Sequence, residues 1–109
     1  MRIEFQISEQ IAFLRCAGRV VQGRETATLR KAVMTQERPN ILIDLSDVTA
    51  IDAGGLGLLV ELDQWADASH RTLVLLNPSP AVRNLLAATR LNSVLPVSQD
   101  DAAAACHVA

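Results

Sequence analysis

Residues 41–59 constrain the fold more than any other part of the sequence. The segment begins with the apolar run 41–45, which predicts a buried strand. A short polar loop leads to Asp52, and two adjacent glycines, Gly54 and Gly55, then open a helix-like apolar pattern. A strand that feeds a glycine-bearing turn and then a helix leaves backbone N–H groups free at the positive end of the helix dipole. This turn is therefore suited to binding an anion or a partner.

The patterns on either side of this segment predict further strands and helices. Residues 2–7 alternate between apolar and polar side chains, residues 11–16 are mainly apolar, and the turn between them predicts an antiparallel hairpin. Ser79 is the predicted N-cap of a helix whose first residue is Pro80. Further strands are predicted at 72–76 and 94–97, and helices at 24–36, 56–69, 80–90 and 99–106.

This order of elements predicts an α/β fold, with a small mixed β-sheet of about four to five strands packed with about four helices. A chain of 109 residues is expected to form one domain, over residues 1–109. Half of the residues are hydrophobic (50%) but only 3% are aromatic, so the core must be built from Leu, Val, Ile and Ala.

The composition argues against several classes of partner and location. The net charge is −2, there is no basic run, and Trp65 and two Phe are the only aromatic residues, so nucleic acid is not an expected partner. No segment approaches the roughly 20 apolar residues of a membrane span, and no signal peptide is evident. Cys16 and Cys106 are far apart without CxxC spacing, which favours reduced thiols and a cytoplasmic location.

The same sequence offers little for catalysis or metal binding. The two histidines, His70 and His107, are not close in sequence to any serine of a glycine turn, so no catalytic residues are predicted. Asp44, Asp47 and Asp52 cluster in sequence, but no His or Cys joins them, and neither a metal site nor a cofactor is predicted.

Asp52 and the glycines after it leave two interpretations open. The Asp52 carboxylate would cap the helix start, which does not exclude contact with a partner. Alternatively, the backbone amides of Gly54–Gly57 would bind a small ligand or a nucleotide. The Lys and Ser/Thr of a phosphate-binding P-loop are absent, and Asp52 would repel an anion.

Residues 52–57, Asp-Ala-Gly-Gly-Leu-Gly, resemble the signature loop of the STAS domain, the family of anti-sigma-factor antagonists, whose usual pattern is Asp-Ser-Ser-Gly-Leu-Gly. The matching residues are Asp52, Gly55, Leu56 and Gly57. Ala53 and Gly54 stand where the family has serines, and Gly54 falls on the serine that is usually phosphorylated. The resemblance extends over nearly the whole chain, from the hairpin to Leu91.

The resemblance implies a non-catalytic regulatory module that docks an anti-sigma factor/serine kinase or a related regulator through residues 49–58. The partner-binding residues implied are Thr49, Asp52, Ala53, Gly54, Gly55 and Leu56. Because Gly54 has no hydroxyl, phosphorylation is not expected at the family position, which leaves Ser46 and Thr49 as the nearby candidates. Val21 stands near a position where the family commonly has an acidic residue.

Overall fold

The computed structural model describes residues 1–98, which contain a single sheet of five strands. The strands are β1 (Arg2–Ile7), β2 (Ile11–Val20), β3 (Asn40–Ile51), β4 (Thr72–Leu76) and β5 (Val97–Ser98). They lie side by side in this order; β1 and β2 are antiparallel, and every other neighbouring pair is parallel. The predicted hairpin and mixed sheet are confirmed.

Three α-helices connect the parallel strands within residues 1–98. They are α1 (Arg24–Met34), α2 (Ala53–Ala68) and α3 (Pro80–Ala88), and a 3₁₀ turn follows at Leu91–Ser93. The predicted start of α3 is confirmed, because the Ser79 hydroxyl accepts the N–H of Val82 at 3.5 Å and Pro80 is the first helical residue. The fourth predicted helix, 99–106, lies outside the described residues. None of these three helices is long and apolar enough to cross a membrane.

All three helices pack against one face of the sheet. Alternate residues of the central strands point to this face, among them Ile41, Ile43 and Leu45 of β3, and are less than 2% exposed. The helices contribute Leu29, Val33, Leu59, Leu62, Val82 and Leu86 to the same aliphatic core. A smaller cluster of Leu42, Val74 and Leu76 lies on the opposite face.

The strand predicted at 41–45 is longer than expected. β3 continues to Ile51 and β2 to Val20, with Ala17 opposite Asp47 and Val20 opposite Ile51. The predicted loop at 46–51 is therefore wrong. Its polar side chains are accommodated because β4 pairs with β3 only as far as Asp44, so the extension has a strand neighbour on one side.

The last predicted strand, 94–97, begins later than expected, at Val97. The N–H groups of Val94 and Leu95 both donate to the carbonyl of Leu91, at 3.0 and 2.8 Å, so these residues complete a helical turn and do not join the sheet. Pro96 has no N–H to donate, but its carbonyl accepts the N–H of Leu75 at 2.8 Å.

Candidate functional site

The extended pairing of β2 and β3 brings two loops together at one end of the sheet. β2 ends at Val20 and β3 at Ile51, opposite each other, and each strand leads within three residues into a helix. Residues 21–23 and Asp52 therefore lie side by side at the carboxyl ends of parallel strands. This end of an α/β sheet is where binding sites are usually built.

Asp52 joins the two loops. Its Oδ1 accepts the N–H of Gly55 at 2.8 Å, which confirms the predicted N-cap of α2. The N–H of Gln22, from the other loop, donates to Oδ1 and Oδ2 at 3.1 and 3.0 Å. These backbone donors, Gly55 first and then Gln22, lower the pKa of the Asp52 carboxyl, so it is ionised at neutral pH. One carboxylate thus caps a helix and fixes the neighbouring loop, and we call this arrangement the Asp52 clamp.

The Asp52 clamp predicts a pH-dependent contribution to stability. Because the pKa of Asp52 is lowered in the folded state, its contribution is present above the ordinary pKa of 3.8 and is lost as the pH falls through the folded value. Asn at this position can still accept the N–H of Gly55 but cannot titrate. We therefore expect Asp52→Asn to lower the melting temperature at neutral pH, and the difference from the unchanged protein to shrink in acid. A difference that stays constant from neutral pH to acid would contradict this role.

Gln22 occupies the space next to Gly54. A Cβ atom added to Gly54 would lie 2.6 Å from Cβ of Gln22 and would overlap its Oε1. A serine at position 54, the position phosphorylated in the family, would therefore compete with Gln22 for the same space. The sequence interpretation missed Gln22, because its contact with residues 52–54 is long-range and no local motif marks it.

Gly55 and Leu56 do not belong to the exposed surface that the sequence interpretation assigned to them. Gly55 is buried, and an added Cβ atom would overlap the backbone carbonyl oxygen of Val20. Leu56 is 6% exposed and packs in the aliphatic core. Both residues lie on the side of α2 that faces the sheet, so the interpretation of Leu56 as a contact residue for a partner is wrong.

The exposed residues at this end of the molecule are small or polar. Gln22, Asp52, Ala53 and Gly57 are exposed, and Ala53 and Gly57 lie one turn apart on α2. We call these four residues the α2 surface. Gly54 is half-buried between them.

The two candidate phosphorylation residues lie on β3, before the α2 surface. Thr49 is exposed three residues before Asp52, and Ser46 is exposed further back along the strand. The backbone N–H of Ser46 donates to Asp44 at 2.8 Å. Both hydroxyl side chains are therefore accessible, although neither belongs to the Asp52 clamp.

The geometry is unfavourable for binding an anion at the start of α2. The N–H of Gly55 already donates to the Asp52 carboxylate, and the N–H of Leu56 donates to the Asp52 carbonyl at 2.9 Å. The ionised carboxylate lies where a phosphate would otherwise bind. The ligand- or nucleotide-binding alternative finds no support in this arrangement.

The groups that could serve catalysis or metal binding are held apart. Burial, and secondarily the Asp44 charge, raises the pKa of the Cys16 thiol to about 12, so this thiol is not a nucleophile at neutral pH. Asp44 is 1% exposed and accepts a bond from Arg15 Nε at 3.3 Å, away from the Asp52 clamp. Within residues 1–98, no three His, Cys, Asp or Glu side chains are grouped to hold a metal ion. His70 is exposed just beyond the end of α2.

Solved structures of anti-sigma factor antagonists share this fold. A proposed antagonist from Thermotoga maritima superposes with a TM-score of 0.86 and 21% identity, over 97% of this chain and 93% of that chain. An antagonist from Mycobacterium paratuberculosis gives 0.81 and 20% identity, over 98% and 92%. Unphosphorylated SpoIIAA of Bacillus gives 0.68 and 18% identity, over 94% and 92%. At these identities the likeness establishes the fold, and it confirms the predicted STAS-like architecture.

No curated protein is similar enough in sequence to count as a relative. A family profile described as Mlab, STAS domain, however, matches residues 9–96. The match runs from the turn of the β1–β2 hairpin to the residue before β5 and includes the whole of the Asp52 clamp. The chain therefore belongs to the STAS domain family, in the group described as Mlab.

Proposed function

We propose that this STAS domain is a non-catalytic regulatory module that binds a protein partner through the α2 surface in the cytoplasm. The partner is an anti-sigma factor/serine kinase or a related regulator. The observation that carries the proposal is the Asp52 clamp, which holds two loops and a helix start in one geometry beside exposed small residues. The structural likeness to anti-sigma factor antagonists supports the general role of binding a regulatory protein.

The α2 surface is suited to a protein partner because its shape is fixed and its backbone is accessible. Ala53 and Gly57 have little or no side chain, so an approaching surface can pack against the first turns of α2. The bonds from Gln22 and Gly55 to Asp52 order this region before a partner arrives. A surface that is already ordered loses less conformational entropy on binding.

The docking surface is not switched by phosphorylation at position 54. Gly54 has no hydroxyl, and the side chain of Gln22 covers the space beside it. A phosphate at this place would add a charge of about −1.5 to −2 next to the Asp52 carboxylate and would disturb the surface. Because no phosphate can be added at position 54, the charge of the surface there does not change. A surface of constant charge supports either a constitutive antagonist or a subunit of a larger assembly.

The proposal is tested by affinity purification from the native cell, comparing the unchanged protein with Ala53→Glu and Ala87→Glu. Both alanines are exposed on helices, but Ala87 lies on α3, away from the α2 surface. We expect a regulator that the unchanged protein and Ala87→Glu retain and that Ala53→Glu loses, with affinity reduced about tenfold or more in calorimetry. Equal retention by all three proteins would place the docking surface elsewhere.

If the partner is a kinase, phosphorylation assays with it test the role of Gln22. Incubated with ATP, the unchanged protein should receive no phosphate within residues 46–58. We expect Gly54→Ser to be labelled slowly, because its serine competes with Gln22 for space, and Gly54→Ser with Gln22→Ala to be labelled several-fold faster. Mass spectrometry identifies the modified residue. Phosphate on Ser46 or Thr49 of the unchanged protein would contradict an unswitched surface.

A further inference from the structure

β1 is an edge strand of the sheet among the described residues. Within residues 1–98 it has a strand neighbour on one side only, and its six residues pair with β2 without a bulge. It contains no proline, and its two charged side chains, Arg2 and Glu4, pair with each other at 4.0 Å, so neither is left as a lone charge on the edge. The opposite edge, β5, has two residues within residues 1–98 and follows Pro96. The two edges therefore differ in their capacity to accept another strand.

The hydrogen bonding of the hairpin shows which backbone groups of β1 face outwards. The N–H of Ser8 donates to the carbonyl of Ile11 at 2.9 Å, and the N–H of Ile11 donates to Ser8 Oγ at 3.2 Å, so these two residues occupy a hydrogen-bonded position of the hairpin. Hydrogen-bonded pairs alternate with non-hydrogen-bonded pairs along antiparallel strands. Ile3, Phe5 and Ile7 therefore direct their N–H and C=O groups away from β2, to the free edge.

The same three residues form an apolar row, in which Ile3 packs against the core and Phe5 and Ile7 are exposed. Their side chains lie on the face that the helices cover further along the sheet, because they are opposite Cys16, Leu14 and Ala12 of β2. The helices do not cover the part of the row next to the hairpin turn, where Phe5 is 49% exposed and Ile7 is 45% exposed. Free hydrogen-bonding groups and exposed apolar side chains thus coincide on one strand.

The sequence of β1 is complementary to itself. Read in opposite directions, residues 3–7 (Ile-Glu-Phe-Gln-Ile) place isoleucine opposite isoleucine, Glu4 opposite Gln6, and Phe5 opposite Phe5. This register keeps all three apolar residues opposite one another and brings no like charges together. A shift by two residues in one direction would place Glu4 opposite Glu4 of the second strand, which is unfavourable. A shift in the other direction would place Ile3 opposite Glu9 and would lose one apolar pair at each end of the row.

We propose that β1 pairs antiparallel with β1 of a second copy of this chain, with Phe5 on the two-fold axis. The outward groups of Ile3, Phe5 and Ile7 supply the hydrogen bonds between the copies, and the two apolar rows join on one face. The two five-stranded sheets become one continuous sheet. This inference goes beyond the proposed function and uses none of the residues of the α2 surface.

Sedimentation velocity of the full chain, from micromolar to submillimolar concentration, tests the proposal. We expect a reversible monomer–dimer equilibrium. A single monomeric species over the whole range would overturn the proposal, and so would a dimer that Phe5→Glu leaves intact. Phe5 is half exposed, and circular dichroism would show whether Phe5→Glu remains folded.

Charge changes at Gln6 test the register. Gln6 is exposed, and in the proposed dimer each Gln6 lies opposite Glu4 of the other copy. We expect Gln6→Lys to tighten the dimer and Gln6→Glu to weaken it, each by about fivefold, because two cross-strand pairs change at once. The opposite order of affinities would overturn this register, because the shifted register that places Glu4 opposite Glu4 also places Gln6 opposite Arg2.

Cysteine cross-linking tests the axis independently. Antiparallel hydrogen-bonded pairs have Cα atoms about 5.5 Å apart, within the range that a disulfide spans. Under mild oxidation, Phe5→Cys should form a covalent dimer, whereas Ile7→Cys, which would lie opposite Ile3 of the second copy, should not. The unchanged protein, with Cys16 and Cys106, is the control. Equal cross-linking of the two variants would overturn the position of the axis.

Discussion

Replacing Leu56 with glutamate is expected to lower the free energy of unfolding by about 4 kcal/mol or more, which is enough to unfold much of a small domain. Leu56 is 6% exposed and packs in the core formed by the helices and the sheet. The substitution removes the burial of a leucine side chain, worth about 1.5–3 kcal/mol, and places a carboxyl group among aliphatic residues. Urea unfolding followed by circular dichroism measures the change.

Ala53→Glu is the matched control for Leu56→Glu. Ala53 lies three residues earlier in the same helix and is exposed, and a carboxylate at the start of a helix interacts favourably with its dipole. Its effect on stability should remain within about 0.5 kcal/mol. If Leu56→Glu were as stable as Ala53→Glu, Leu56 would have to lie at the surface, and the placement of α2 on the sheet would be wrong.

The misplacement of Leu56 shows how far a motif can be used to predict a surface. Leu56, Leu59 and Leu62 recur at helical intervals, a pattern typical of the inward face of a helix, and all three are buried in α2. The family motif marks Leu56 as part of a loop signature, but a motif does not state which of its residues are exposed. For Leu56, the apolar periodicity therefore predicts the direction of the side chain better than the family motif does.

Local signals were sufficient where the structure depends on neighbouring residues. Asp52 as an N-cap and Ser79 followed by Pro80 were predicted correctly, because each cap acts within one turn of its own helix. The extension of β3 to Ile51 was not predicted, because it depends on pairing with residues about thirty positions earlier. The contact of Gln22 with Asp52 and Gly54 depends on the same long-range pairing. The order of predicted elements and the family resemblance both predicted the fold, but neither predicted these contacts.

Gly55→Ala is expected to be the second severe substitution, lowering the free energy of unfolding by about 3 kcal/mol. The added Cβ atom would overlap the backbone carbonyl oxygen of Val20 and would lie 3.0 Å from Cγ1 of Ile51. Backbone at the end of a paired strand cannot move aside as a flexible side chain can. α2 would therefore have to shift away from β2 and β3, and the bonds of Asp52 to Gln22 and Gly55 would be distorted.

Gly57→Ala is the matched control for Gly55→Ala, because Gly57 lies in the same helix and a Cβ atom there would meet nothing within 4 Å. Alanine has the higher helix propensity, so this substitution should stabilise the fold by up to about 1 kcal/mol. Chemical denaturation of both variants measures the free energy of unfolding, which should fall for Gly55→Ala and rise for Gly57→Ala. If Gly55→Ala left the free energy of unfolding unchanged, the backbone at the ends of β2 and β3 would have to move at little energetic cost. The Asp52 clamp would then not hold the α2 surface in one geometry, and the observation that carries the proposed function would fail with it.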